Sequence, residues 1–401
     1  MAESRSPMLI PAGVLLVLLG IWQGYALLKA DASPLPVDDF SEYWAAARVV
    51  LEGGNPYDRD ALFAVERAAI DRDTPENVVL MWNPPWAVPL MLPLGAMPFR
   101  TAQALWLLAN LGILLWCATV LREMFGGSSA SKPVAWLVAM AFPPSLFLLW
   151  IGQISAWMLL GISLFLWFGR RGRPFLAGLS ATLLAIKPHL VLLFWLLLGV
   201  RGLYRDRRML LGLAFGLCAS MSAALLAQPR LLSQYLDALA DRPPQWQSPT
   251  FGSLLGVETG SSILTFAPVL AGVLWLAISE YRRRREPARS DFWVDRVPLL
   301  LLVSFATASY GAWPFDLVLL MPVVLAMSVS PVRTRTAVLG GLGVAGLCAT
   351  YALKLPPHAY IWPAPWLLAM WLTRTNIGVR GSNGPNRVPN RPPGLDGVSL
   401  F

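Results

Sequence analysis

The stretch NPPWAVPLMLPLGAMPF, residues 83–99, decides how the rest of the chain is threaded. It is apolar enough for a membrane, but its five prolines interrupt any continuous helix. It is also too short to cross a hydrocarbon core of about 30 Å. A re-entrant or broken helix fits it, which a bilayer tolerates only where protein or a wet cavity satisfies the backbone. Counted as a span, the stretch would put the arginine clusters GRRGRP (Gly169–Pro174) and RGLYRDRR (Arg201–Arg208) on the outer face. Left out of the count, it lets every arginine-rich loop fall on one side, as cytoplasmic loops do.

Composition sets the frame for that choice. The chain is 56% hydrophobic and only 14% charged, against about 25% charged in soluble domains, and apolar runs recur from end to end. It therefore reads as an all-α polytopic membrane protein. The net charge of +9 comes from arginines clustered between apolar runs, so no nucleic-acid partner is inferred. Cys117, Cys218 and Cys348 lie inside apolar runs without metal or disulfide spacing and read as packing residues.

The first apolar run, residues 8–29, is longer than a signal-peptide core and has no small-residue cleavage site after it, so it reads as an uncleaved helix. Further spans follow at 101–121, 133–150 and 153–169. Two short halves, 174–187 and 189–203, come next, then 208–227, 263–279, 297–310, 315–329, 336–353 and 359–373. With residues 83–99 re-entrant, the count is about twelve helices with both termini cytoplasmic. Residues 1–373 form one transmembrane domain with outer loops at 31–100 and 228–262, the first holding a juxtamembrane helix. The segment 374–401, rich in Pro, Gly, Asn and Arg, reads as a disordered cytoplasmic tail. The expected location is a bacterial inner (plasma) membrane, with the chemistry on the periplasmic or extracellular face.

Chemistry concentrates just outside the first helix. Residues 31–79 carry eleven of the 23 carboxylates against four arginines, which makes this loop resemble a chemical face. In DDFSEYWAAARVVLEGG, Asp38 and Asp39 are adjacent; mutual repulsion and partial burial suit one of them to general-base work. The following residues have helical spacing, with Tyr43, Ala46, Ala47 and Val50 on one face, Ser41 as a candidate cap and Gly53-Gly54 as the stop. From spacing alone, an acidic helix N-terminus favoured by the helix dipole explains the pair at least as well.

Lys187 and His189, in ATLLAIKPHLVLLFW, sit at the turn between two half-length helices. An ionisable residue inside an apolar run is a functional candidate, and a cation with an imidazole there suits an anionic group such as a phosphate. A snorkelling lysine and a packed histidine are the structural alternatives. Gln153 in WIGQISAW and Asp316 in YGAWPFDLVLLMP are polar groups at outer helix ends, and the strongly apolar flanks of Asp316 demand a partner. His358 reads as interfacial. No phosphate-binding loop, dinucleotide fingerprint, HExxH or metal-spaced Cys/His set occurs. No cofactor is expected, and the sequence leaves a divalent metal open.

In order and spacing, DDFSEYWAAARVVLEGGNPYD, NPPWAVPLMLPLGAMPF, the run from GQISAW to KPHLVLLFWLL, and WPFDLVLLMP resemble the polyprenol-phosphate-mannose-dependent mannosyltransferases of glycosyltransferase family 87. The resemblance runs from Asp38 to Pro322. It implies a GT-C type membrane fold with an extracytoplasmic active site and an inverting transfer from a lipid monophosphate sugar, usually mannose. The acceptor is then a glycolipid or another glycan. It also implies that Asp39, directly before FSEY, is the catalytic base, and that Lys187-Pro188 contacts the donor phosphate. Asp38, Tyr43, Gln153, His189 and Asp316 become candidate substrate-binding neighbours. Better-studied members carry Trp-x-His-His near a late helix; here Trp313-Pro314-Phe315-Asp316 stands in its place and both histidines are absent. From spacing alone, a lipid or lipid-linked-sugar flippase explains the buried charges as well as a transferase does. The resemblance decides for the enzyme.

Overall fold

The computed structural model describes residues 38–70, 73–128, 132–240, 248–283, 291–329 and 334–378. The expected first helix at 8–29, parts of the arginine clusters near 284–290 and 330–333, and residues 379–401 lie outside the described residues. Among those described, every regular element is helical.

Helix α1 (Asp38–Leu51) begins at the acidic pair and stops at Gly53, whose φ of +79° suits glycine. Its Tyr43, Ala46, Ala47 and Val50 are buried, and so are Trp44, Ala45 and Val49, so α1 is enclosed on nearly all sides rather than on one face. Ser41 lies a turn inside the helix and donates to Glu66 Oε1 at 3.1 Å, so it is not the cap that its position suggested. Glu66 belongs to α2 (Arg59–Ile70), which packs on α1. The N–H groups of Gly53 and Gly54 bond back to the Val50 and Val49 carbonyls at the helix end, and the Gln228 amide donates to the carbonyls of Gly53 and Gly54 at 2.6 and 2.8 Å, tying down the turn beyond it.

The proline-rich stretch forms a 3-10 turn, Pro85–Ala87, and the short helix α3 (Val88–Gly95), which packs against α1. Trp86 Nε1 donates to the Ala185 carbonyl at 2.7 Å, and Trp44 Nε1 to the Met97 carbonyl at 3.0 Å. Trp44 thus satisfies a backbone carbonyl of the proline-rich segment, and Trp86 of the segment satisfies one beside the Lys187 break.

Next come α4 (Phe99–Met124), α5 (Lys132–Ala141), α6 (Pro143–Ile151) and α7 (Ser155–Arg170). The expected single span at 133–150 is two helices bent by 71°, because Pro143 and Pro144 restart the chain after Phe142. The break at Lys187 is as expected. Helix α8 (Pro174–Ala181) runs into a 3-10 turn over Thr182–Ile186, and a second turn over Pro188–Val191 leads to α9 (Leu192–Tyr204). Helix α10 (Arg207–Ala227) crosses α8 so closely that a Cβ on Gly178 would lie 1.8 Å from the Met209 carbonyl oxygen, and one on Gly212 1.9 Å from that of Phe175. The chain continues as α11 (Leu231–Ala240), α12 (Phe251–Thr259), α13 (Ala267–Arg283), α14 (Phe292–Ala306), a 3-10 stretch over Pro314–Leu320, α15 (Met321–Val329), α16 (Thr334–Ala352) and α17 (Pro363–Gly378).

Among the described residues, three segments are long and apolar enough to cross a membrane unbroken: Phe99–Met124, Arg207–Ala227 and Leu264–Arg283. The bent α5–α6 pair makes a fourth if it is one span. The remaining apolar helices are shorter, and the expected count of about twelve depends on them. The protein is membrane-embedded, and its charged ends segregate. Arg170 Nη1 donates to the Met124 carbonyl at 3.2 Å and its Nε lies 3.5 Å from Asp291, while Arg201 sits 3.4 Å over the Phe292 ring. The ends of α4, α7 and α9 and the start of α14 therefore meet at one arginine-rich pole. The start of α7, the Lys187 break and the chain after α14 meet at the opposite pole.

Candidate active site

At that second pole α1 presents Asp39, Glu42 and Tyr43, one helical turn apart on one face. Helix α6 ends in Gly152, whose φ of +73° is the left-handed cap conformation that glycine adopts without strain. A Cβ there would lie 2.7 Å from Phe40 Cβ, so only glycine lets α1 rest on this bend. Helix α4 holds the same bend from the other side: Trp106 Nε1 donates to the Gly152 carbonyl at 2.6 Å, and Asn110 Nδ2 to that of Gln153 at 3.3 Å.

The Gln153 side chain bridges the pole. Its Oε1 accepts from the Tyr43 hydroxyl in a short contact, from the Ile154 N–H at 2.9 Å and from Lys187 Nζ at 3.3 Å. Its Nε2 donates to Asp39 Oδ2 at 2.5 Å. Lys187 in turn donates to Asp316 Oδ1 at 2.9 Å, reaches Ser155 Oγ at 3.5 Å and lies 4.7 Å over the Phe315 ring. Asp316 is fully buried and well supplied with donors. The Ser155 hydroxyl meets Oδ1, and the Trp313 N–H reaches Oδ2 at 3.1 Å, which also caps the 3-10 stretch. A continuous chain of polar contacts thus runs Asp39–Gln153–Lys187–Asp316, with the half-buried Asp39 at its open end.

Four of the seven residues singled out in the sequence form that chain, and Tyr43 feeds it. His189 does not join it: its ring stacks on Tyr310, centroids 5.1 Å apart, and its Nε2 lies 3.4 Å from the Gly311 carbonyl. Asp38 is the first residue of α1, and its side chain lies outside the described residues.

Two participants escaped the sequence reading. Ser155 stands two residues beyond Gln153 in a stretch already quoted. Glu42 lies one turn after Asp39 and is 6% exposed; the Asn83 amide donates to its Oε1 at 3.4 Å. Burial, and then the neighbouring Asp39, push its carboxyl well above the ordinary 4.5. Placing Glu42 on the Asp39 face of the predicted helix would have revealed it. Among the described residues, no three His, Cys, Asp or Glu side chains gather as metal ligands.

Beside the Lys187 break lies an open, mostly apolar cavity of about 640 Å³. Trp86 and Trp195 line it together with Ala185 and Pro188 on either side of Lys187, and α10 closes it with Leu217 and Met221.

No curated protein and no solved structure matches the chain. The model of glycosyltransferase family 87 matches residues 82–305, more than half of the chain. That span includes the proline-rich segment, Gln153, Lys187 and the cavity; Asp39 lies before it and Asp316 beyond it. The chain belongs to glycosyltransferase family 87.

Proposed function

We propose that this glycosyltransferase moves a hexose, mannose by family resemblance, from a polyprenyl-phosphate sugar to a glycolipid or polysaccharide acceptor, with inversion at the anomeric carbon. The observation that carries the reading is the juxtaposition of a half-buried carboxylate, Asp39, a cation, Lys187, and an apolar cavity flanking that cation. Asp39 takes the proton of the acceptor hydroxyl as its oxygen attacks the anomeric carbon. The bond from that carbon to the phosphate oxygen breaks, and polyprenyl phosphate leaves with the electron pair. Lys187 stabilises the departing charge. The cavity between the re-entrant segment, the broken helix and α10 takes the first isoprene units of the donor.

The arginine-rich pole, opposite the site, is the expected cytoplasmic side, which puts the chemistry on the periplasmic or extracellular face with both termini cytoplasmic. A lipid donor suits such a face, because it needs no nucleotide. The test uses purified protein in nanodiscs, radiolabelled polyprenyl-phosphate-mannose and a membrane lipid extract, with wild type and Asp39→Asn side by side. Label should move to a new product in wild type, with the rate lowered at least about 100-fold in the variant. Donor binding without transfer from any lipid-phosphate sugar would overturn the reading in favour of a flippase.

A further inference from the structure

Gln153 has an amide whose orientation the surroundings fix. Its oxygen can only accept and its nitrogen can only donate. Three donors converge on Oε1: the Tyr43 hydroxyl, the Ile154 N–H and Lys187 Nζ. Turning the amide over would set an NH2 against all three and leave its oxygen facing the Asp39 carboxylate. Both anchors of the arrangement are held in turn, Lys187 by Asp316 and the Gln153 backbone by Asn110 and the Gly152 bend.

We propose that Gln153 is a positioning residue for Asp39: clamped by Tyr43 and Lys187, it fixes the plane of the Asp39 carboxylate relative to the acceptor and makes no contact with the donor. This rests on the reading of Asp39 as the base. It also gives Lys187 a second action, exerted through Gln153 on Asp39. Glu42 and Tyr43 of its own helix face Asp39; behind them Glu66 of α2 and Lys187 of the break act on Glu42, and Asp316 of the 3-10 stretch acts on Tyr43. Arg100 of α4 is engaged with Gln103, and the described part of the re-entrant segment and α3 contribute no ionisable group.

Two variants separate positioning from donor contact and from mere packing. In Gln153→Met, kcat should fall on the order of 100-fold, as for a misplaced reacting group, with the donor KM unchanged within about twofold. In Gln153→Glu, one oxygen still accepts from Tyr43, Ile154 and Lys187, while the other faces Asp39 with like charge. The acid limb of the pH–rate profile should then move up by about one pH unit or more. A tenfold rise in donor KM at unchanged kcat, or a Gln153→Met enzyme equal to wild type, would overturn the proposal.

An activity-independent readout guards against failure of the underlying reading. The infrared band assigned to Asp39 by its loss in Asp39→Asn should titrate at higher pH in Gln153→Glu than in wild type. An unchanged midpoint refutes the clamp even if no transfer is ever detected. Inactive wild type with a shifted midpoint would instead keep the clamp and refute Asp39 as a base.

Discussion

The Lys187 ammonium lies 2.9 Å from the carboxylate of Asp316, a residue with no solvent exposure at all. Two ions taken out of water hold each other in place, and neither is easily left alone: removing one partner of a buried pair costs about 3–5 kcal/mol. Asp316→Asn and Lys187→Met should each lower the thermal midpoint in nanodiscs by several degrees. The double variant should lose clearly less than the sum of the two. Additive losses would show that the pair is not coupled.

Glu42 supplies a pH dependence of stability. Its folded-state pKa is raised above the ordinary 4.5 by burial and by Asp39. The folded protein therefore binds the proton more tightly than the unfolded chain. The corresponding stability is fully present below the unfolded value, is lost as pH rises through the folded value and stays level above it. Glu42→Gln, which keeps the shape of the neutral acid, should flatten the decline of the thermal midpoint as pH rises above the ordinary 4.5. Parallel curves for the two proteins would show that Glu42 is ionised throughout.

Gly152→Ala should act on both fold and activity. The left-handed backbone alone costs a Cβ-bearing residue about 1–2 kcal/mol, and the new methyl meets Phe40. We expect a loss of about 2 kcal/mol or more and a fall in transfer, since Gln153 follows directly. Gly169→Ala near the other end of α7 meets nothing within 4 Å and should be neutral or slightly stabilising. Unfolding curves and transfer rates of the two variants, compared directly, check the claim.

The cavity beside Lys187 yields a prediction graded by chain length. Leu217→Trp fills part of it and should remove room for about two methylenes' worth of donor lipid, or about tenfold in affinity. KM should rise for any donor that carries the first isoprene units and change little for a phosphate-linked sugar that lacks them. An equal effect on both donors would move the lipid elsewhere.

Much of the architecture was legible because prolines act locally. Those in residues 83–99 keep the segment to a 3-10 turn and one short helix, although Pro93 is accommodated inside α3, and Pro188 follows the break at Lys187, so the short and half-length helices follow from sequence alone. The same logic applied to Phe142-Pro143-Pro144, but the length of residues 133–150 matched a single span and obscured the bend. The site was legible as types and poles, not as contacts. Gln153 meets Tyr43 and Asp39 across 110 and 114 residues, and Lys187 meets Asp316 across 129. No local pattern encodes such pairings, which arise from how the helix ends converge. Ser41 was misread for the same reason: its partner, Glu66, is on another helix.

The hydrogen bond from Trp86 to the Ala185 carbonyl has a consequence for how the protein is made. Its partners are 99 residues apart, so the ribosome delivers the proline-rich segment roughly 5–20 s before the carbonyl that accepts from its indole. Throughout that interval the Trp86 N–H lacks its partner and the proline-broken helix beside it has no finished host. The insertion machinery must shelter it, and nascent chains halted before residue 185 should remain bound there rather than partition into lipid.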